Sequence, residues 1–252
     1  MIRGITIIEL LASLFVISIV ISILTISIHS INATTIQTQA SQDLKTLSTL
    51  SNKWAIDYDH YPFALSWKNN KLIAWDFVAN DDNSWSPAKL WEYGTNKPFL
   101  RPDIKKTIIP GQTGYNYNTS YIGGESPYGE HSTSPNARQS LRLSHIKRSA
   151  KTVCFGLSSE VGGEFNRWMR SPMRVNIEGK HNPEPFETVY AGAQSFLLNG
   201  LSLGSHLDGH VGSFHTPKKG VHHENLPLWI TSSLKYPENG FLSSNDEAYR
   251  PW

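Results

Sequence analysis

With 252 residues, 39% of them hydrophobic and 17% charged, the chain is too apolar to be disordered, and it is long enough for one large domain or a smaller one with an appendage. Lys+Arg 23 against Asp+Glu 21 leaves a formal charge of +2, so no global field points to nucleic acid or to cation buffering. A single cysteine excludes an internal disulfide framework and a cysteine-rich zinc module.

The first element is sharply set apart. Residues Ile5 to Ile28 read ITIIELLASLFVISIVISILTISI, with Glu9 as the one charge. At about 1.5 Å per residue, a helix of this length crosses a bilayer core of about 30 Å. A secretory signal peptide has a shorter apolar region and a small-residue cleavage site. Here the following text is His29-Ser30-Ile31-Asn32-Ala33. A plain membrane anchor fits the length and leaves Glu9 unexplained. A carboxylate at mid-helix costs about 2.5–3.5 kcal/mol on insertion scales, so Glu9 asks for a partner. Ser18, Ser22, Thr25 and His29 step by four, three and four and share one helix face. That face either packs closely on sister helices or is a tolerated scatter of hydroxyls.

The apolar positions Ile36, Ala40, Leu44, Leu47, Leu50 and Trp54 continue at helical spacing among polar neighbours. No Pro or Gly occurs between Ile5 and Tyr61. One helix over residues 5–56 is the simplest expectation, with residues 5–28 in lipid, residues 29–56 amphipathic, and Pro62 closing it. The body, residues 57–252, is poor in helical signals. The run from Gly111 to Gly124, rich in turn residues and alternating Tyr, reads as a loop or irregular extended segment. Strands are expected at Thr152–Leu157, at Val189–Leu197 and as a pair around His206–Phe214, packed on the helix stripe. The tail after Gly220 reads as irregular. The expected class is α+β, one long N-terminal helix on a small antiparallel β body with long irregular loops.

The start, Arg3-Gly4-Ile5-Thr6-Ile7-Ile8-Glu9-Leu10, resembles the processing site of type IV prepilins and type II secretion pseudopilins. The resemblance implies a leader of residues 1–4, cleavage after Gly4 by a prepilin peptidase and methylation of the new N-terminus at Ile5, where the family usually has Phe. It also implies a lollipop plan, and makes Glu9 the fifth residue of the mature chain. Glu9 of one subunit would then neutralise the α-amine of a neighbour and fix the stagger between helices, since a broken buried pair costs several kcal/mol.

A second resemblance covers the body. It is similar to prepilin-like proteins of the planctomycete type, which carry an H-x9-D-G signature. Their loose motifs match Arg142-Leu143-Ser144-His145-Ile146-Lys147 with Thr152, then Asn166 to Pro172 with Arg170, then Asp208-Gly209-His210-Val211. Where that family has the signature His, this chain has Leu198.

Other constellations are weaker. His206, Asp208 and His210 alternate, and on one continuous strand they would share a face and could hold a metal. Asp-Gly is also a hairpin turn; with Asp208-Gly209 at its centre, Leu207 pairs with His210, His206 pairs with Val211, and the two His face apart. The hairpin is favoured, and no metal or cofactor is expected. Gly200-Leu201-Ser202-Leu203-Gly204 matches a nucleophile elbow but lacks the βα alternation that such an elbow needs. The basic run Arg138, Arg142, Lys147, Arg148 and Lys151 reads as a solvated loop rather than a phosphate-binding patch. Trp67, Trp75, Trp85 and Trp91 read as core or subunit packing rather than sugar platforms. Cys154 reads as a buried, inert thiol.

The expectation is a structural subunit with no catalysis of its own, held in the inner membrane with a cytoplasmic N-terminus and its body periplasmic or in the filament. Its partners would be the prepilin peptidase, sister subunits and the secretion or pilus machinery. The alternative is a membrane-anchored extracytoplasmic module that binds carbohydrate or protein.

Overall fold

The computed structural model describes residues 7–68, 71–80, 82, 84–94, 97–104, 112–126, 140–161, 164–173, 186–198 and 200–252. Helix α1 runs without interruption over Ile7–Tyr58. It runs two residues past the expected 56 and ends earlier than Pro62 alone would require. Asp59 adopts φ 60, the left-handed region, which short polar side chains tolerate, and this turns the chain out of the helix.

The chain divides into two units, Met1–Thr38 and Gln39–Trp252. In the first, the segment Ile7–Thr25 is long and apolar enough to cross a membrane, and none of it is buried within the chain. Ser18, Ser22 and Thr25 donate to the carbonyls of Phe15, Ser18 and Ile21, so their hydroxyls are satisfied inside the helix. The side chain of His29 lies outside the described residues.

In the second unit, the C-terminal part of α1 lays its stripe into the core. Ala40, Leu44, Leu47, Leu50 and Ala55 are buried, and Trp54 packs against them half-buried. Ser48 and Ser51, also fully buried, keep this face narrow. Ser48 donates to the His206 carbonyl at 2.9 Å, and Ser51 Oγ lies 3.8 Å from Cys154 Sγ.

Among the described residues the strands are β1 (Leu65–Lys68), β2 (Lys71–Ala74), β3 (Phe77–Ala79), β4 (Trp85–Pro87), β5 (Tyr115–Asn118), β6 (Glu125–Ser126) and β7 (Val153–Leu157). They continue with β8 (Glu160–Val161), β9 (Glu164–Phe165), β10 (Trp168–Met169), β11 (Gln194–Ser195), β12 (Ser202–His206), β13 (Val211–Phe214) and β14 (Asn239–Gly240). One sheet has the order β4-β3-β2-β1-β6 and the other β10-β5-β7-β12-β13. Neighbours are antiparallel except for the β1–β6 and β10–β5 pairs. The class is α+β.

The second sheet holds the core. Every residue of β5, β7 and β12 is buried. Phe155 stacks on Tyr117 at 4.7 Å and meets Trp75 edge-on at 5.2 Å. Where it is described, the Tyr/Asn run is extended, as one of the two expectations had it, but in a regular strand rather than an irregular segment. Its alternating Tyr115 and Tyr117 belong to β5, and a π-helical turn, Thr119–Gly123, follows. Hydroxyls and amides tie this strand to the rest: Tyr115 donates to Asp43 on α1 at 2.6 Å, and Asn118 donates to the carbonyls of Val153 and Tyr249.

The expected strand at Val189–Leu197 is also corrected. Its first part belongs to a short helix, α2 (Phe186–Ala191), and only Gln194–Ser195 is extended. Val189 and Tyr190 turn into a second small core with Ala193, Ile230, Leu234 and Phe241, and this side contact outweighs the β propensity of the segment. The tail is not wholly irregular, since α3 (Leu228–Thr231) supplies Ile230 to that core.

Candidate functional site

Gly4 and Ile5 lie outside the described residues. Glu9 stands in the first turn of α1, where a carboxylate meets the positive end of the helix dipole. Its backbone carbonyl accepts from Ser13 at 2.8 Å.

The His206–His210 segment is a hairpin, but not in the expected register. Ser205 pairs with Val211 and the His206 amide donates to the His210 carbonyl at 2.8 Å, so the loop is Leu207-Asp208-Gly209 rather than two residues. Gly209, at φ 92, supplies the left-handed step that closes such a three-residue loop. This shift by one position brings the two histidines to the same side, where they stack with centroids 4.0 Å apart and planes 9° apart. The expectation that they face apart is corrected. His210 Nδ1 donates to Asp208 Oδ1 at 2.6 Å. Burial pushes the His206 imidazole down to about 4; His210 adds to this and Asp208 opposes it. Partial burial works against ionisation of Asp208, but the hydrogen bonds from His210 outweigh it and hold its carboxyl below the usual range. Beneath the stack, a Cβ at Gly212 would lie 2.9 Å from His206 Nε2, so a side chain there would push the imidazole aside. Among the described residues no three His, Cys, Asp or Glu side chains are grouped to hold a metal ion.

The motif from Asn166 to Pro172 builds the edge of the core sheet. Asn166 Oδ1 accepts from the Trp168 amide, and its Nδ2 donates to the Ala191 carbonyl, both at 2.9 Å. The Arg170 amide donates to Gly192 and the Ser171 amide to Ser120 Oγ, while Arg170 and Pro172 are buried. The run from Arg142 to Thr152 likewise anchors backbone. Lys147 and Arg148 amides both donate to the Pro251 carbonyl, and Thr152 Oγ1 donates to Arg148 and Arg250 carbonyls. Arg142, Lys147 and Lys151 are exposed, and Arg138 lies outside the described residues.

Ser202 of the Gly-x-Ser-x-Gly match lies inside β12, fully buried, rather than on an exposed strand-to-helix turn. Leu198 forms an isolated bridge with Leu201 and packs on the core, half-buried. Trp75 and Trp91 are core residues that donate to the Arg167 and Asp76 carbonyls, and Trp85 packs edge-on against Phe77 at 4.2 Å. The side chain of Trp67 lies outside the described residues. Cys154 is fully buried, and burial pushes its thiol well above the usual range.

Two groupings escaped the sequence reading. Asp76 has no exposed surface, and its nearest cation is Arg167, whose Nε lies 3.8 Å from Oδ2 and whose guanidinium sits 3.8 Å above the Phe77 ring. A cleft beside the end of α1 is lined by Trp54, Tyr58, Lys89, Glu92 and Tyr93. Both join residues far apart in sequence, and neither carries a spacing that a pattern search would find.

No protein-family model, no curated protein sequence and no solved structure matches the chain.

Proposed function

We propose that the chain is a prepilin-like or pseudopilin subunit of the type II secretion and type IV pilus class. The reading rests on one observation: an apolar, membrane-length helix segment, Ile7–Thr25, carries a single acid, Glu9, in its first turn and follows the leader text Arg3-Gly4. The uninterrupted continuation of that helix to Tyr58, with its later turns sunk in the core of the body, supports the lollipop plan.

In this reading Met1–Gly4 stays cytoplasmic, a prepilin peptidase cuts after Gly4, and Ile5 becomes the methylated N-terminus. Glu9 then pairs with the new α-amine of a neighbouring helix. In lipid two separate charges are each costly, and the pair fixes which turn of one helix faces which turn of the next. Asn166, Arg170, Pro172, Asp208, Gly209 and His210 build the body rather than perform chemistry.

The test is the intact mass and N-terminal sequence of the membrane-extracted protein from its native host. A chain beginning at N-methyl-Ile5, and beginning at Met1 in a Gly4 variant, is the expected result. A wild-type chain beginning at Met1 would leave a plain membrane anchor, and one beginning near Ala33 a secreted domain.

A further inference from the structure

The end of α1, the Pro62–Phe63 segment and the 3-10 turn Lys89–Tyr93 enclose a two-part cleft. The inner chamber, of about 120 Å3, is walled mainly by Trp54, Phe63, Ile73, Trp75, Val78 and Leu90. The outer part, of about 260 Å3, is bounded by Trp54, Tyr58, Lys89, Glu92 and Tyr93. Trp54 and Lys89 line both parts.

Two features define what fits. First, the Trp54 ring lies 4.6 Å from Tyr58 and 5.8 Å from Tyr93, centroid to centroid, with planes tilted by 36° and 51°, so three aromatic rings line the outer part. Second, side chains three apart on a 3-10 turn eclipse one another. Lys89 and Glu92 therefore stand on one side, both exposed, while Leu90 and Trp91 point into the core.

The charges around the mouth select among ligand classes. An anion would meet Glu92, with Asp57 close by in its hydrogen bond from the Tyr93 hydroxyl at 2.9 Å. A cation would meet Lys89, and Lys53, which donates to the Tyr93 carbonyl. A wholly apolar ligand would strip water from Lys89 and Glu92 and return no hydrogen bond. A neutral ring that carries both C–H faces and hydroxyls satisfies every group. Its C–H face packs on one of these rings, one hydroxyl accepts from Lys89, and a neighbour donates to Glu92.

We propose that this cleft binds one pyranose unit of a neutral glycan. The proposal goes beyond the filament reading and does not depend on it.

The test uses the full chain in micelles of a detergent without sugar head groups. The probes are the methyl glycosides of glucose, galactose, mannose and N-acetylglucosamine, with leucine as a zwitterionic control. Saturation-transfer NMR and tryptophan emission report binding. The expected result is saturable binding of at least one glycoside, with transfer concentrated on its C–H face. Lys89→Ala and Glu92→Gln, both at exposed positions, are expected to weaken it roughly tenfold each with circular dichroism unchanged. Absence of glycoside binding at tens of millimolar, binding of leucine in their place, or undiminished affinity in the double variant would overturn it. N-terminal processing is read separately by mass, so either reading can fail alone.

Discussion

At the scale of a residue, Asp76 is the most consequential titrating group in the body. Its carboxylate has no exposed surface and neither oxygen has a hydrogen-bond donor among the described residues. Burial pushes its pKa up to about 6, and the nearby Arg167 opposes the shift without cancelling it. The folded state thus holds this proton more tightly than the unfolded chain. The resulting stabilisation is complete below about pH 4 and is lost as the pH rises through 6. His206, pushed down to about 4, has the opposite slope: its contribution is present above its ordinary value and is lost as the pH falls toward 4. The two overlap in the wild type, so the informative quantity is a difference. Comparing wild type with Asp76→Asn by chemical denaturation, the gap is expected to move in the variant's favour by up to about 3 kcal/mol between pH 4 and pH 7. A constant gap would mean that Asp76 titrates in the fold as it does in the open chain.

Helices and strands show where sequence patterns suffice and where they do not. The stripe of Ala40, Leu44, Leu47 and Leu50 was readable because helical periodicity survives whatever the stripe packs against. Strand β7 was readable as a short apolar run. The hairpin was readable as a turn but not in register. Asp208-Gly209 suits a two-residue turn, yet the hydrogen bonds of β12 select a loop one residue longer, and with it the face on which His206 sits. Helix α2 was unreadable because its contacts to Ile230, Leu234 and Phe241 lie far along the chain. The helix stop was misattributed to Pro62, since the left-handed φ of Asp59 is a property of backbone and not of composition. That stop yields a prediction. Asp59→Gly should leave stability unchanged or raise it slightly, while Asp59→Val should cost about 1–2 kcal/mol, measured by thermal unfolding. Equal behaviour of the two would show that the turn at residue 59 relaxes freely.

For the whole molecule, the two units imply separable consequences of mutation. Leu47 is fully buried within the second unit, and Leu47→Ala is expected to lower stability by about 2–5 kcal/mol. Glu9→Ala lies in a segment that buries nothing within the chain, so it should leave the unfolding midpoint of the body unchanged and, on the proposed reading, abolish filament assembly. A shift in that midpoint would show that the two units are coupled. The proposed processing site is the kind of feature a sequence can show, because Arg3, Gly4 and Glu9 stand close together in one short stretch. The cleft was not, because its walls come from the end of α1, from β2 and β3, and from the Lys89–Tyr93 turn, and only folding brings them together.

The contact between Ser51 on α1 and Cys154 on β7 gives the molecule a built-in clock. Cys154 is the chain's one thiol and is fully enclosed, so a maleimide or similar electrophile reaches it only when the helix lifts from the sheet. The rate at which the native protein consumes such a reagent therefore counts those openings, without any engineered label. That rate measures how often the body comes ajar along the seam where its helix is inlaid, and on the proposed reading it bears on the passage from membrane to assembly.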